Sequence, residues 1–188
     1  CFIRSLKRKV ILMLFLLFLL AIGVRFLHFP DNVYFAYDQA RDSYTALDLA
    51  KGDLKIVGPP SAAGDKFFAG PLVYYIYSPV YYLFDKNPEI LSLFLRIFNA
   101  AGIFLSFAIG ALLFNKSIGL LTSLFYAFSY EQTQYSLFIS HQPQAVIPVL
   151  VFYLGLGLVI FKNKSLGIIV SAMGAALAIQ FHYLYVYL

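Results

Sequence analysis

An all-α, multi-pass membrane domain is what this sequence predicts, and three observations predict it. Hydrophobic residues make up 61% of the 188 residues and charged residues only 12%, about half the ~25% share of charge usual in a soluble domain. The apolar residues are gathered into runs, and several runs approach the ~20 residues needed to cross ~30 Å of hydrocarbon. The basic residues, which set a net charge of +5, sit in the gaps between those runs, where Lys and Arg mark the cytoplasmic side. They form no patch interleaved with aromatics, so nucleic acid is not an expected partner. A single cysteine, Cys1, excludes an intrachain disulfide and a Cys-based metal site. The sequence begins at Cys1 and stops inside an apolar run at Leu188, so we expect a part of a longer protein, with residues 1–188 forming one membrane domain.

The first span is expected over about 10–29. Arg4, Lys7, Arg8 and Lys9 precede fifteen uninterrupted apolar residues, Val10 to Val24. No small-x-small cleavage site follows, so a span is preferred to a signal peptide. Arg25 is expected to snorkel to the far interface. The basic start places the N-terminus in the cytoplasm and residues from about 30 to 88 outside. That loop holds seven of the nine acidic residues, Asp31 to Asp85.

Within the loop, residues 38–51 carry apolar side chains at 40, 44, 47 and 50 and polar ones at 38, 41, 42, 45 and 48. This is helical periodicity, closed by Gly52, and it predicts an amphipathic helix lying in the interface. Turn formers Gly58, Pro59, Pro60, Ser61 and Gly64 follow. A second helix is expected from Pro71, with Tyr74, Tyr75, Tyr77, Tyr81 and Tyr82 forming a headgroup-level belt.

Further spans are expected over about 90–114, 118–139, 143–161 and 166–188, five in all. The run Ile118–Tyr130 reaches only about 20 Å at 1.5 Å per residue. Glu131, Gln132 and Gln134 therefore fall below the headgroups, where polar groups must face protein or a water-filled cavity. The charged residues of the three inferred cytoplasmic segments are all basic: Arg4, Lys7, Arg8, Lys9, Lys116, Lys162 and Lys164. In the last span Gly167, Ser171, Gly174 or Ala175, and Ala178 form a small-residue packing stripe. One more turn along that stripe brings His182 inward.

The stretch Tyr37–Tyr44, YDQARDSY, is the richest in chemistry. Asp38, Arg41 and Asp42 stand three and four residues apart, within reach of one another on a helix. Asp38 suits an N-cap, and a capping carboxylate still has an oxygen for a substrate hydroxyl. Arg96, a guanidinium inside a span, must either snorkel or pair with a carboxylate or phosphate. Glu131, His141 and His182 are the other titratable groups on the outer side. Their spacing is not that of a metal-binding motif, although a divalent metal is chemically possible, and cavity-lining roles are preferred for them.

The order of a basic start, a span, DQAR with its helix, GD, GP, FFAGPLVYYIYSP and then LRIFNAAG resembles membrane glycosyltransferases of the GT-C class. Within that class it resembles the group of protein O-mannosyltransferases and bacterial aminoarabinose transferases. YSLFISHQPQAVIP is similar to the second-loop pattern YSRFxWNPxxxP of bacterial members, with Leu137, Ser140 and His141 replacing its Arg, Trp and Asn. AIQFHY, with Gln180, His182 and Tyr183, resembles a QxHY ending of the fifth span.

The resemblance implies transfer of a sugar from a polyprenyl-phosphate donor to a lipid, glycan or protein hydroxyl at the outer face of the plasma or inner membrane. It implies Asp38 as the catalytic residue. Arg41, Asp42, Arg96, Glu131, His141 and His182 are the substrate-binding candidates. Gln39 stands where such enzymes carry a second carboxylate, leaving one base. The alternative from the residues alone is a non-enzymatic transporter or lipid flippase, which would place its polar groups near the midplane; a structural assembly subunit would have no pocket at Asp38.

Overall fold

The computed structural model describes residues 8–60 and 67–188; Arg4, Lys7, Ser61 and Gly64 lie outside them. The described residues are helical, with only two isolated bridges, Tyr34 to Phe138 and Pro60 to Phe68. Ten α-helices follow in order: α1 Arg8–Arg25, α2 Tyr37–Ala50, α3 Leu72–Leu83, α4 Pro88–Ala100, α5 Gly102–Leu113, α6 Lys116–Phe128, α7 Tyr130–Leu137, α8 His141–Gln144, α9 Val146–Lys162 and α10 Leu166–Phe181. A short 3-10 turn, Tyr183–Tyr187, ends the chain.

Two rods are long and apolar enough to cross a membrane: Pro88–Leu113, which is α4 continued by α5, and His141–Lys162, which is α8 continued by α9. The fold of the described residues is therefore all-helical, with two helices that could cross a membrane. The other apolar helices are shorter than expected, for local reasons. α1 stops at Arg25, where turns replace the anticipated extension to residue 29. The run 118–139 is divided at Ser129, whose side chain accepts a hydrogen bond from Gln132 N and so caps α7. α10 stops at Phe181, with His182 extended beyond it.

Packing divides the molecule into a stem and a head. In the stem, α1, α5 and α6 enclose Leu14, Ala21, Ile103, Phe107 and Ala127, while α9 lies against α5 and α10. The expected stripe on α10 is its buried face: Gly167, Ser171, Gly174 and Ala178 all pack inward. A Cβ added at Gly155 would sit 2.4 Å from Ser171 N, and one at Gly174 the same distance from Phe152 N. Backbones at this separation admit only glycine.

In the head, α2 packs on α3, and α3 in turn meets α4, around a core that includes Leu49, Val73, Tyr77, Leu91 and Ile139. Gly52, at φ 100°, ends α2 as expected, with Gly52 N bonding to Leu49 O and Asp53 N to Asp48 O. The inward face of α2 is a surprise. Gln39, Asp42, Ser43, Ala46 and Leu49 are buried, whereas Tyr44, from the predicted apolar stripe, is 70% exposed. The reason is α3. Tyr74, Tyr77 and Tyr81 share one helical face and turn inward, burying hydroxyls as well as rings, so the face opposite them must be polar. Ser43 Oγ meets Tyr81 Oη at 2.7 Å. Only Tyr75 and Tyr82 of the predicted belt face outward.

Candidate functional site

The site is built on the first two turns of α2. Tyr37 opens the helix, and Gln39 Oε1 accepts from Ala36 N at 3.1 Å, satisfying a donor at the helix start. Asp38 is therefore not the cap. It lies inside the first turn, where a carboxylate is favoured by the helix dipole, and its side chain is 67% exposed.

Arg41 joins two carboxylates. Its Nη1 donates to Asp38 Oδ1 at 2.7 Å. Nε and Nη2 reach Asp42 Oδ1 at 2.9 and 2.8 Å. Partial burial alone would lower the Arg41 pKa, but the Asp42 hydrogen bond and the charges of Asp42 and Asp38 outweigh it and raise it. The two acids differ in surroundings, since Asp42 is only 1% exposed.

Asp42 faces the tyrosines of α3. Burial first, then the Asp42 charge, pushes the Tyr74 phenol up to about 12 and raises Tyr77 well above its ordinary value. Both stay neutral near pH 7. The Tyr77 hydroxyl is buried with no hydrogen-bond partner among the described residues, and so is His141 Nδ1. That nitrogen lies 3.8 Å from Asp42 Oδ2, the oxygen turned away from Arg41. His141 in turn stacks on His182, ring centroids 6.1 Å apart. His182 does approach the site, but not by the expected route. Phe181 continues the α10 stripe, and His182 arrives by leaving the helix in an extended conformation.

Beside the α2 start opens a cavity of about 480 Å³, lined by Gln39, Glu131, Gln134, Ser140 and Gln142 with aromatic walls from Tyr34 and Phe138. This volume falls within the roughly 300–1,000 Å³ of small-molecule sites. Glu131 thus faces the cavity, while Asp38 stands one residue before Gln39 on the exposed side. Of the polar residues after Tyr130 expected to face protein or a cavity, Glu131 and Gln134 line the cavity, and Gln132 faces protein, its Oε1 3.4 Å from Asn99 Nδ2.

Arg96 does not join this group. It is fully buried, donating to Ser92 Oγ at 3.1 Å, Arg25 O at 2.7 Å and Asn32 Oδ1 at 2.8 Å, with its guanidinium 4.9 Å from the centre of the Phe29 ring. Arg25 does not snorkel either. It is also fully buried, and its donors reach Asn99 Oδ1, Ala21 O, Ala127 O and Tyr126 O. Neutral oxygens around α1, α4 and α6 satisfy both side chains, so neither needs the headgroup level.

Among the described residues no three His, Cys, Asp or Glu side chains converge as a metal site would require. The residues the sequence missed are Tyr74, Tyr77 and Gln142. The 3-4 spacing of the first two with Tyr81 was a signal that one face of α3 turns inward. Protein-family models, characterised proteins and solved structures were compared with the chain, and none matches.

Proposed function

We propose that this chain carries the base of an inverting membrane glycosyltransferase of the GT-C class, with five spans and the head facing away from the cytoplasm. The observation that carries the reading is a solvent-reaching carboxylate, Asp38, held by Arg41 and next in sequence to Gln39, which lines the cavity. In the reaction, Asp38 takes the proton of the acceptor hydroxyl as that oxygen bonds to the anomeric carbon. The bond from that carbon to the phosphate oxygen breaks, and polyprenyl phosphate leaves with the electron pair. General-base help of this kind contributes typically ~10²–10⁴-fold.

Arg41, 26% exposed, is the guanidinium we assign to the departing phosphate. Arg96, enclosed and hydrogen-bonded through each of its three nitrogens, we assign to structure instead. Glu131 and the amides of Gln134 and Gln142 would hold sugar or acceptor hydroxyls in the cavity. Transport through the stem is the less favoured reading. Hydroxyls there are spent on carbonyls: Thr122 on Ser106 O, Ser123 on Ile103 O and Ser171 on Phe152 O. The groove between α1 and α6 is lined by Leu and Met.

The test is transfer from a polyprenyl-phosphate sugar by the protein reconstituted in vesicles. Asp38→Asn should lower the rate by at least ~10²-fold while the helical circular dichroism and membrane insertion stay unchanged. An Asp38→Asn protein that transfers sugar at the parent rate overturns the assignment.

A further inference from the structure

Asp38 is the end of a chain of contacts that begins in another element. Asp38 meets Arg41 Nη1 at 2.7 Å, Arg41 holds Asp42 Oδ1 through two nitrogens, and Asp42 Oδ2 faces His141 Nδ1 at 3.8 Å. Three of these four side chains lie on α2, whereas His141 opens α8. The gap to His141 exceeds a hydrogen bond, yet the imidazole nitrogen is buried and has no other partner among the described residues. We infer that His141 is a positioning residue which, through Asp42 and Arg41, governs how far the guanidinium neutralises Asp38. The inference rests on the assignment of Asp38 as the base.

Charge counting gives the direction. With His141 neutral, one guanidinium serves two carboxylates, and Asp38 keeps the uncompensated negative charge that a base requires. With His141 protonated, Asp42 gains a second cation and a charge-assisted hydrogen bond, so Arg41 is released toward Asp38 and weakens it as a base. The other titratable groups that face this chain are Tyr74 and Tyr77 of α3 beside Asp42, and His182 stacked on His141. The tyrosines stay neutral through the range where imidazole titrates. His182 is the group that must be controlled for.

Coupling between sites is reciprocal, so Asp38 must act back on His141. The experiment is a ¹⁵N-histidine NMR titration of the full chain in micelles, with His182→Gln to leave the His141 signal resolved from its neighbour. Asp38→Asn frees Arg41 to hold Asp42 more completely, and the His141 midpoint should move to lower pH. In an Arg41→Gln background the same change should move it by much less. An unmoved midpoint, or one that moves equally without Arg41, overturns the relay. In the transfer assay His141→Gln should strip from the acidic limb of the pH–rate profile the part that follows imidazole protonation, leaving the part that follows protonation of the Asp38 base itself, whereas His182→Gln retains both. Loss of the imidazole part in His182→Gln alone also overturns it. Failure of the base assignment is seen separately, as an active Asp38→Asn protein.

Discussion

Two arginine sites in this molecule solve the same problem in opposite ways. Arg25 and Arg96, at the junction of stem and head, are fully buried and bonded to carbonyl, amide and hydroxyl oxygens. Arg41, in the head, is partly exposed and bonded to two carboxylates. Neutral acceptors fix a guanidinium in place and leave nothing to titrate or exchange. Carboxylates leave a charge whose distribution depends on the neighbours, and one of them, Asp38, reaches solvent. The junction is thus suited to holding α1 against α4, and the head to chemistry.

The comparison is broken most directly at the junction. Arg96→Leu strands Arg25 O and Asn32 without their donor, at about 1.5–3 kcal/mol for each hydrogen bond to a charged group. It should therefore lower the yield of folded protein, measured by size-exclusion chromatography and thermal unfolding in micelles. Arg41→Met comes next. Asp42 is then left buried without its cation, a loss on the order of 3 kcal/mol, which thermal unfolding would record as a cooperative decrease with the fold retained. Asp38→Asn should cost no more than ~1 kcal/mol, because its partner contact is at the surface, while removing transfer. If Asp38→Asn destabilised the protein as much as Arg41→Met, the division between a structural and a chemical carboxylate would fail.

The smallest expected effect concerns alkaline pH. A phenol whose folded pKa is raised binds its proton more tightly folded than unfolded, so stability is complete below the unfolded value of ~10 and declines as pH rises. With Tyr74 at about 12, the decline should run between pH 10 and 12, followed by phenolate absorbance. Tyr74→Phe should make it shallower, with Tyr77 and Tyr81, whose phenols are also raised, keeping the remainder.

Much of the fold is legible in the chain, because it rests on composition and local backbone geometry. The apolar rods Pro88–Leu113 and His141–Lys162, the end of α2 at Gly52 and the small-residue face of α10 follow from residue types at helical spacing. The cluster of Asp38, Arg41 and Asp42 is equally local, since little more than one helical turn brings the three together wherever the helix lies.

What the sequence by itself determined is therefore a helical protein with helices apolar enough to cross a membrane and an acid–guanidinium cluster on its first polar helix. Tertiary structure alone decided which face of α2 is buried, because an inward-facing tyrosine stripe from α3 makes polar partners easier to bury there than Tyr44. It alone decided that Arg25 and Arg96 turn inward, since their acceptors come from residues as far apart as Ala127 and Asn32. It alone brought His141 to Asp42. Periodicity describes one helix at a time, whereas burial, charge pairing and the meeting of α8 with α2 depend on surfaces distant in sequence.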